Sequence, residues 1–161
     1  MGSRFSPGAT AAPLFKIQEG FPMMIAVRYD SKTGNTKRLA DAIASALGVR
    51  AEMVDIPLPG KVDVLFLGSA VYAAGVSQDV RDFINHLSAE QVGAVACFST
   101  AALLPSTFAQ VSRLLRARGI NVLEKEFHCR GQFHFMHKGK PDDEDLARAR
   151  QFAKSIAGEK P

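Results

Sequence analysis

The run Val62-Asp63-Val64-Leu65-Phe66-Leu67 restricts the folds open to this chain more than any other stretch. It is nearly continuous in apolar residues and shows no alternation of polar and apolar positions. A strand of that kind is buried on both faces, as in a parallel sheet covered by helices. The sequence from Met24 onward supplies the covering. A strand is expected over 24–29, then a helix over 36–47 with Leu39, Ala40, Ile43, Ala46 and Leu47 on one face. Gly48 reads as the C-cap of that helix. A strand over 50–55 leads to the turn Pro57-Leu58-Pro59-Gly60 and then to the apolar run itself, taken as a strand over 62–67. Next come a loop over 68–76, a helix over 78–87, a strand over 94–98 and a loop over 99–105. A helix over 106–118, a strand over 121–129, a loop over 130–140 and a helix over 141–157 complete the pattern. Pro141 suits the first position of the last helix, and Asp142, Asp143, Glu144 and Asp145 suit its positive end. Five β/α units without a repeat predict an α/β fold, a doubly wound parallel sheet with helices on both faces.

Composition narrows the class further. A chain of 161 residues, 47% of them hydrophobic, can close one core, so a single domain is expected. No apolar run approaches the roughly 20 residues of a membrane helix, so no membrane insertion is expected. Two cysteines do not make a disulfide framework, which points to a reducing cytoplasm. The net charge of +4 is not gathered into a basic stripe interleaved with aromatics, so nucleic acid is not an expected partner. Residues 1–22 hold Pro7, Gly8, Pro13, Gly20 and Pro22, without periodicity and without the apolar centre of a signal peptide. They read as a leader (a tag, an upstream mis-start or an arm), with the domain over 23–161 and Met23 or Met24 as the expected native start.

The chemistry is concentrated in Ser31-Lys32-Thr33-Gly34-Asn35-Thr36, between the first strand and the first helix. A helix start presents unbonded backbone N–H groups and a partial positive charge, which together bind phosphate without a basic side chain. Ser31, Thr33 and Thr36 add hydroxyls, and Gly34 lets the backbone wrap closely. Other phosphate sites do not fit. A P-loop needs Gly-x-x-x-x-Gly-Lys-Ser/Thr, and no Lys follows Gly34. No Gly-x-Gly-x-x-Gly occurs. Six residues beyond Cys97 and Cys129 stand Leu103 and Phe135, so neither cysteine starts a phosphatase loop with its Arg.

The same six residues resemble the phosphate loop of the flavodoxin family, Ser/Thr-x-Thr-Gly-x-Thr, at every specified position. The resemblance extends over nearly all of 24–158 and implies the strand order 2-1-3-4-5. It implies FMN as cofactor, with its phosphate on Ser31, Lys32, Thr33, Gly34, Asn35 and Thr36. The flavin ring is then expected at the loops after the third and fourth strands. In the first of these, Ala70, Val71, Tyr72, Ala73 and Gly75 are the candidate contacts, with Tyr72 where the family often stacks an aromatic on the ring. In the second, Ser99 and Thr100 could bond the ring edge, and Leu103, Leu104, Phe133 or Phe135 could cover its other face. Many family members carry Gly where Ala73 stands, and its peptide flips as the flavin gains a proton. A flipped peptide asks for φ > 0, which costs a residue with a Cβ about 1 kcal/mol or more. The singly reduced flavin is therefore expected to be less favoured here, unless Gly75 takes the role.

Cys129, His128, His134 and His137 have the residue types of a metal site, yet they alternate along a strand end and an aromatic loop, and a structural reading is preferred. Arg130, His134, His137, Lys138 and Lys140 could form a basic rim for an acidic redox partner. Ser99, Ser106 and Ser112 lie in no nucleophile motif. The expected function is FMN-dependent electron transfer between a reductase and an acceptor enzyme. The alternatives are an FMN-dependent quinone reductase, a protoporphyrinogen-oxidase-like protein, or a flavodoxin fold without FMN that serves as an interaction module.

Overall fold

The computed structural model describes residues 23–71, 75–102 and 106–158. The expected leader at 1–22, together with Tyr72, Ala73, Leu103 and Leu104, lies outside the described residues. The elements run β1 (Ile25–Tyr29), α1 (Asn35–Leu47), β2 (Ala51–Met53), β3 (Val62–Ala70) and α2 (Gln78–His86). They continue with β4 (Val92–Ala101), α3 (Phe108–Arg116), β5 (Phe127–Arg130) and α4 (Asp143–Ile156). All five strands are parallel, in the order β2-β1-β3-β4-β5. The expected doubly wound sheet is therefore present.

The apolar run is the reason. Val64, Leu65, Phe66 and Leu67 in β3 are all buried, and they point alternately into two separate cores. Leu65 and Leu67 join Val80, Phe83 and Ile84 of α2 and Val111 and Leu115 of α3. Val64 and Phe66 join Leu39, Ala40 and Ile43 of α1 and Ala149, Phe152 and Ala153 of α4. One face of the sheet thus carries α1 and α4, and the other carries α2 and α3. Phe66 meets Phe152 edge-on, with ring centroids 6.0 Å apart.

Three expectations are corrected. β3 and β4 run on through Ala70 and Ala101, into segments expected as loops. The strand expected over 121–129 is broken: Val122 makes a single bridge to Val95, and β5 proper starts only at Phe127. The charged run Glu124-Lys125-Glu126 separates the two pieces. Pro141 precedes the helix it was expected to open, since Asp142 is the N-cap of α4. The expectation at Gly48 holds: it caps α1 at φ 70, with its N–H shared between Ala44 O and Ser45 O.

The β2–β3 crossover contains no helix. Arg28, one residue before the end of β1 and buried, organises it instead. Its guanidinium donates to Ile56 O at 2.9 Å, Pro57 O at 2.9 Å and Val27 O at 3.1 Å, and pairs with Glu52 at 3.0 Å. Burial lowers its pKa, and the Glu52 charge opposes that.

Candidate functional site

Every βα turn of a parallel sheet opens at the carboxyl end of the strands, and the crevice forms where the strand order reverses. Here that point lies between β1 and β3, and the segment after β1, Ser31–Thr36, turns and enters α1 at Asn35. The N-cap of α1 is Gly34, at φ 90, a left-handed conformation that a residue with a Cβ adopts only at a cost. A glycine has no side chain with which to cap the helix. Asn35, Thr36, Lys37 and Arg38 follow, so no carboxylate neutralises the first turn. Ser31 Oγ accepts from Gly34 N at 3.0 Å and folds the turn back on itself. Lys32 and Thr33 are exposed at its rim.

Two further bonds bolt the turn to distant strands. Thr36, fully buried, shares a hydrogen bond of 2.7 Å with Thr100 of β4. Asn35 Nδ2 donates to Gln132 O at 2.9 Å, just beyond β5. Gly131 makes that approach possible. A Cβ there would lie 2.8 Å from Asn35 Nδ2 and 3.2 Å from Thr100 Cβ.

The expected ring contacts separate into two groups. Ala70 ends β3, and Val71 N donates to Thr100 O at 3.3 Å, so both stand at the strand ends beside the phosphate turn. Gly75 lies across the loop at φ 101, against Gln110 of α3. Tyr72 and Ala73 lie between them, outside the described residues. Ser99 and Thr100, expected at the ring edge, stand at the end of β4, where their side chains have partners within the protein. Thr100 spends its hydroxyl on Thr36. Ser99 Oγ accepts from Thr107 N at 3.3 Å, and Thr107 Oγ1 in turn bonds Ser69 Oγ at 2.6 Å. These hydroxyls pin the ends of β3 and β4 to the start of α3. They satisfy polar groups that burial would otherwise leave unpaired.

Sequence reading did not find Ser69, Thr107, Gln132 or Gly131, nor Asp30, whose buried carboxylate accepts from Ser77 Oγ at 2.6 Å. The signal was present only as small polar residues just beyond the apolar runs. Cys129 faces the α1–α4 core, and burial pushes its thiol up to about 12, with the Asp145 charge acting in the same direction. Among the described residues no cluster of three or more His, Cys, Asp or Glu is arranged for a metal ion. Among them, too, no helix is long and apolar enough to cross a membrane.

A family model described as a flavodoxin domain matches residues 26–135. The chain belongs to this flavodoxin family. An uncharacterised protein of Methanocaldococcus jannaschii is 29% identical over 136 residues, which is 76% of this chain and 89% of that protein. Among solved structures, a flavodoxin from the domain Archaea superposes with a TM-score of 0.70 at 19% identity, over 84% of this chain and 97% of the other. Flavodoxin 2 from Bacillus cereus gives 0.63 at 20% identity, over 84% and 98%. At those identities the likeness is one of fold.

Proposed function

We propose that this flavodoxin-family protein binds FMN and carries electrons between a reductase and an acceptor enzyme. One observation carries the reading: the start of α1 is left open, with a left-handed glycine as N-cap and no acid in its first turn. The residues present fit a phosphate. The backbone N–H groups of the first turn and the hydroxyls of Ser31 and Thr33 would hold it, on a turn fixed by the Thr36–Thr100 and Asn35–Gln132 bonds. The ring would lie over Ala70, Val71 and Gly75 with Tyr72 and Ala73, beside the end of β4. When bound, FMN supplies the redox chemistry, and the protein supplies grip, orientation and electrostatics. No side chain is required as an acid or base.

The visible spectrum of the purified protein tests this directly. Flavin bands with one equivalent of extractable FMN, or tight uptake of added FMN by the colourless protein, are expected. A colourless protein that refuses FMN overturns the proposal in favour of an interaction module. Stopped-flow mixing of the FMN-loaded protein with NAD(P)H then tests the carrier role. No bleaching without a reductase is expected, and rapid bleaching reassigns the protein as an FMN-dependent reductase.

A further inference from the structure

The segment between β5 and α4 folds into an organised projection. Phe133 and Met136 exchange backbone hydrogen bonds of 3.1 and 2.9 Å, closing a turn with His134 and Phe135 at its tip. The base is tied by Gln132 N to Lys140 O at 3.0 Å and by Gly139 N to Gln132 Oε1 at 2.9 Å. Both His134 and His137 stand at φ 52, and residues with a Cβ take up such a conformation only when the surroundings hold them there. Phe133 packs edge-on against His134, with ring centroids 4.3 Å apart, and the projection leaves Phe135 outside any such contact. Phe135 is 100% exposed, Phe133 48% and Met136 37%. An exposed aromatic on a backbone held by hydrogen bonds is the kind of anchor that gives binding energy with little ordering of the chain.

Charge says what it would meet. From Phe127 to Pro141 there is no Asp or Glu. Arg130 and Lys138 are cationic there, and Lys140 is too, although it pairs with Asp142 and Asp145 at the start of α4. Position says why. Arg130 Nη1 donates to Ala102 O at 3.1 Å, and His137 Nε2 lies 3.0 Å from the same oxygen. Ala102 follows β4 at the edge where the flavin ring is proposed to lie. Asn35 of the phosphate turn holds the base through Gln132.

We propose that the projection Phe133–Lys138 is the docking surface for an acidic electron-transfer protein, with Phe135 inserted into an apolar recess of that partner. This rests on the carrier reading above, and the partner's charge and the insertion of Phe135 are what it adds. A bilayer with anionic headgroups offers some of the same chemistry. The hydrogen bonds that seat the projection beside the electron-exit edge favour a protein.

The test is a heteronuclear NMR titration of the ¹⁵N-labelled protein, with and without FMN, against a small acidic rubredoxin, a basic cytochrome c and phosphatidylserine vesicles. Rubredoxin is expected to shift the amides of residues 133–138, at low salt and less at high salt, whereas cytochrome c is not. Lys138→Glu should weaken binding about fivefold near 20 mM salt and by under twofold near 300 mM, as expected for a screened charge. Phe135→Ser should weaken it about tenfold at both. Shifts located elsewhere, a preference for cytochrome c, or shifts caused by the vesicles and not by rubredoxin would each overturn the proposal. FMN uptake is scored separately by quenching of its fluorescence. Failure of the cofactor reading is therefore visible independently of failure at the projection.

Discussion

Helices α1 and α4 lie side by side on one face of the sheet, and both begin at the carboxyl end of the strands. Their N-termini are built in opposite ways. At α4 the chain satisfies its own helix. Asp142 Oδ1 accepts from Asp145 N at 2.9 Å, Asp145 Oδ2 accepts from Asp142 N at 3.0 Å, and Asp143 and Glu144 add charge to the first turn. Lys140 and Arg148 balance the acids. At α1 the N-cap is Gly34, and the first turn is Asn35, Thr36, Lys37 and Arg38. A Gly N-cap gives up roughly a few tenths of a kcal/mol against Asp, and a first turn without acids gives up their attraction to the helix dipole as well. The chain forgoes these at α1 and takes them at α4, three strand spacings (about 14 Å) away across the sheet. The start of α3 also has no acid and no cap bond from its N-cap Thr107, yet there Ser106 Oγ accepts from Phe108 N at 2.9 Å; at α1 the Gly34 N-cap has no side chain to offer, and the turn lies where an anion would bind.

The comparison breaks most sharply if α1 is made to resemble α4. Thr33→Asp sets a carboxylate at the rim of the open turn. Its repulsion of a bound phosphate dianion, about 5 Å away, is on the order of 3 kcal/mol at an intermediate dielectric. We expect FMN affinity, measured by fluorescence quenching, to fall about a hundredfold. The urea midpoint should be unchanged or slightly higher, because the new charge favours the helix dipole. A variant that binds FMN normally would show that the two helix starts do not differ in the way described.

The next effect concerns the bolt beneath that turn. Thr100→Val leaves the buried Thr36 hydroxyl without its partner and should cost about 1–2 kcal/mol in urea unfolding. The double variant Thr36→Val, Thr100→Val should recover part of the loss, because both polar atoms are then gone. A full double-mutant cycle in urea, repeated with FMN present, sharpens the comparison. Coupling that is the same with and without FMN marks Thr36 as a latch, and coupling that changes marks its hydroxyl as a phosphate donor.

How much of this was legible in the sequence depended on how local the cause was. The phosphate turn is a strand, six residues and a helix in succession, so adjacent residues determine it. The central sheet was legible from Val62–Leu67, because that pattern has few other solutions. The extensions of β3 and β4 were not. Ser69, Ser99 and Thr100 look like loop residues until Thr107 and Thr36 arrive from elsewhere in the chain to pair with them. Arg28 was equally opaque. A charged residue in a central strand is tolerable only because the carbonyls of Ile56 and Pro57, twenty-eight and twenty-nine residues on, close around it. The ring side depends on loops from separate strands, and its chief expected contacts, Tyr72 and Ala73, lie outside the described residues.

The smallest effect belongs to α4, and it has a pH signature that α1 lacks. The Lys140 ammonium, and then the N–H of Asp145, hold the Asp142 carboxyl at about 2, below the usual carboxylate range. A carboxylate whose pKa is depressed by folding stabilises the fold above its unfolded pKa, near 4, and loses that contribution as pH falls toward its folded pKa. Wild type and Asp142→Asn should therefore differ at neutral pH, with a slightly lower Tm in the variant. The gap should narrow progressively between pH 4 and about 2. Asn can still accept from Asp145 N, so the residual difference reports the charge alone. FMN affinity should be the same in both proteins across the pH range in which they remain folded. A loss of affinity in Asp142→Asn would mean that the closed start of α4 supports the open start of α1. The two helix N-termini would then form one electrostatic unit, not two independent solutions to the same problem.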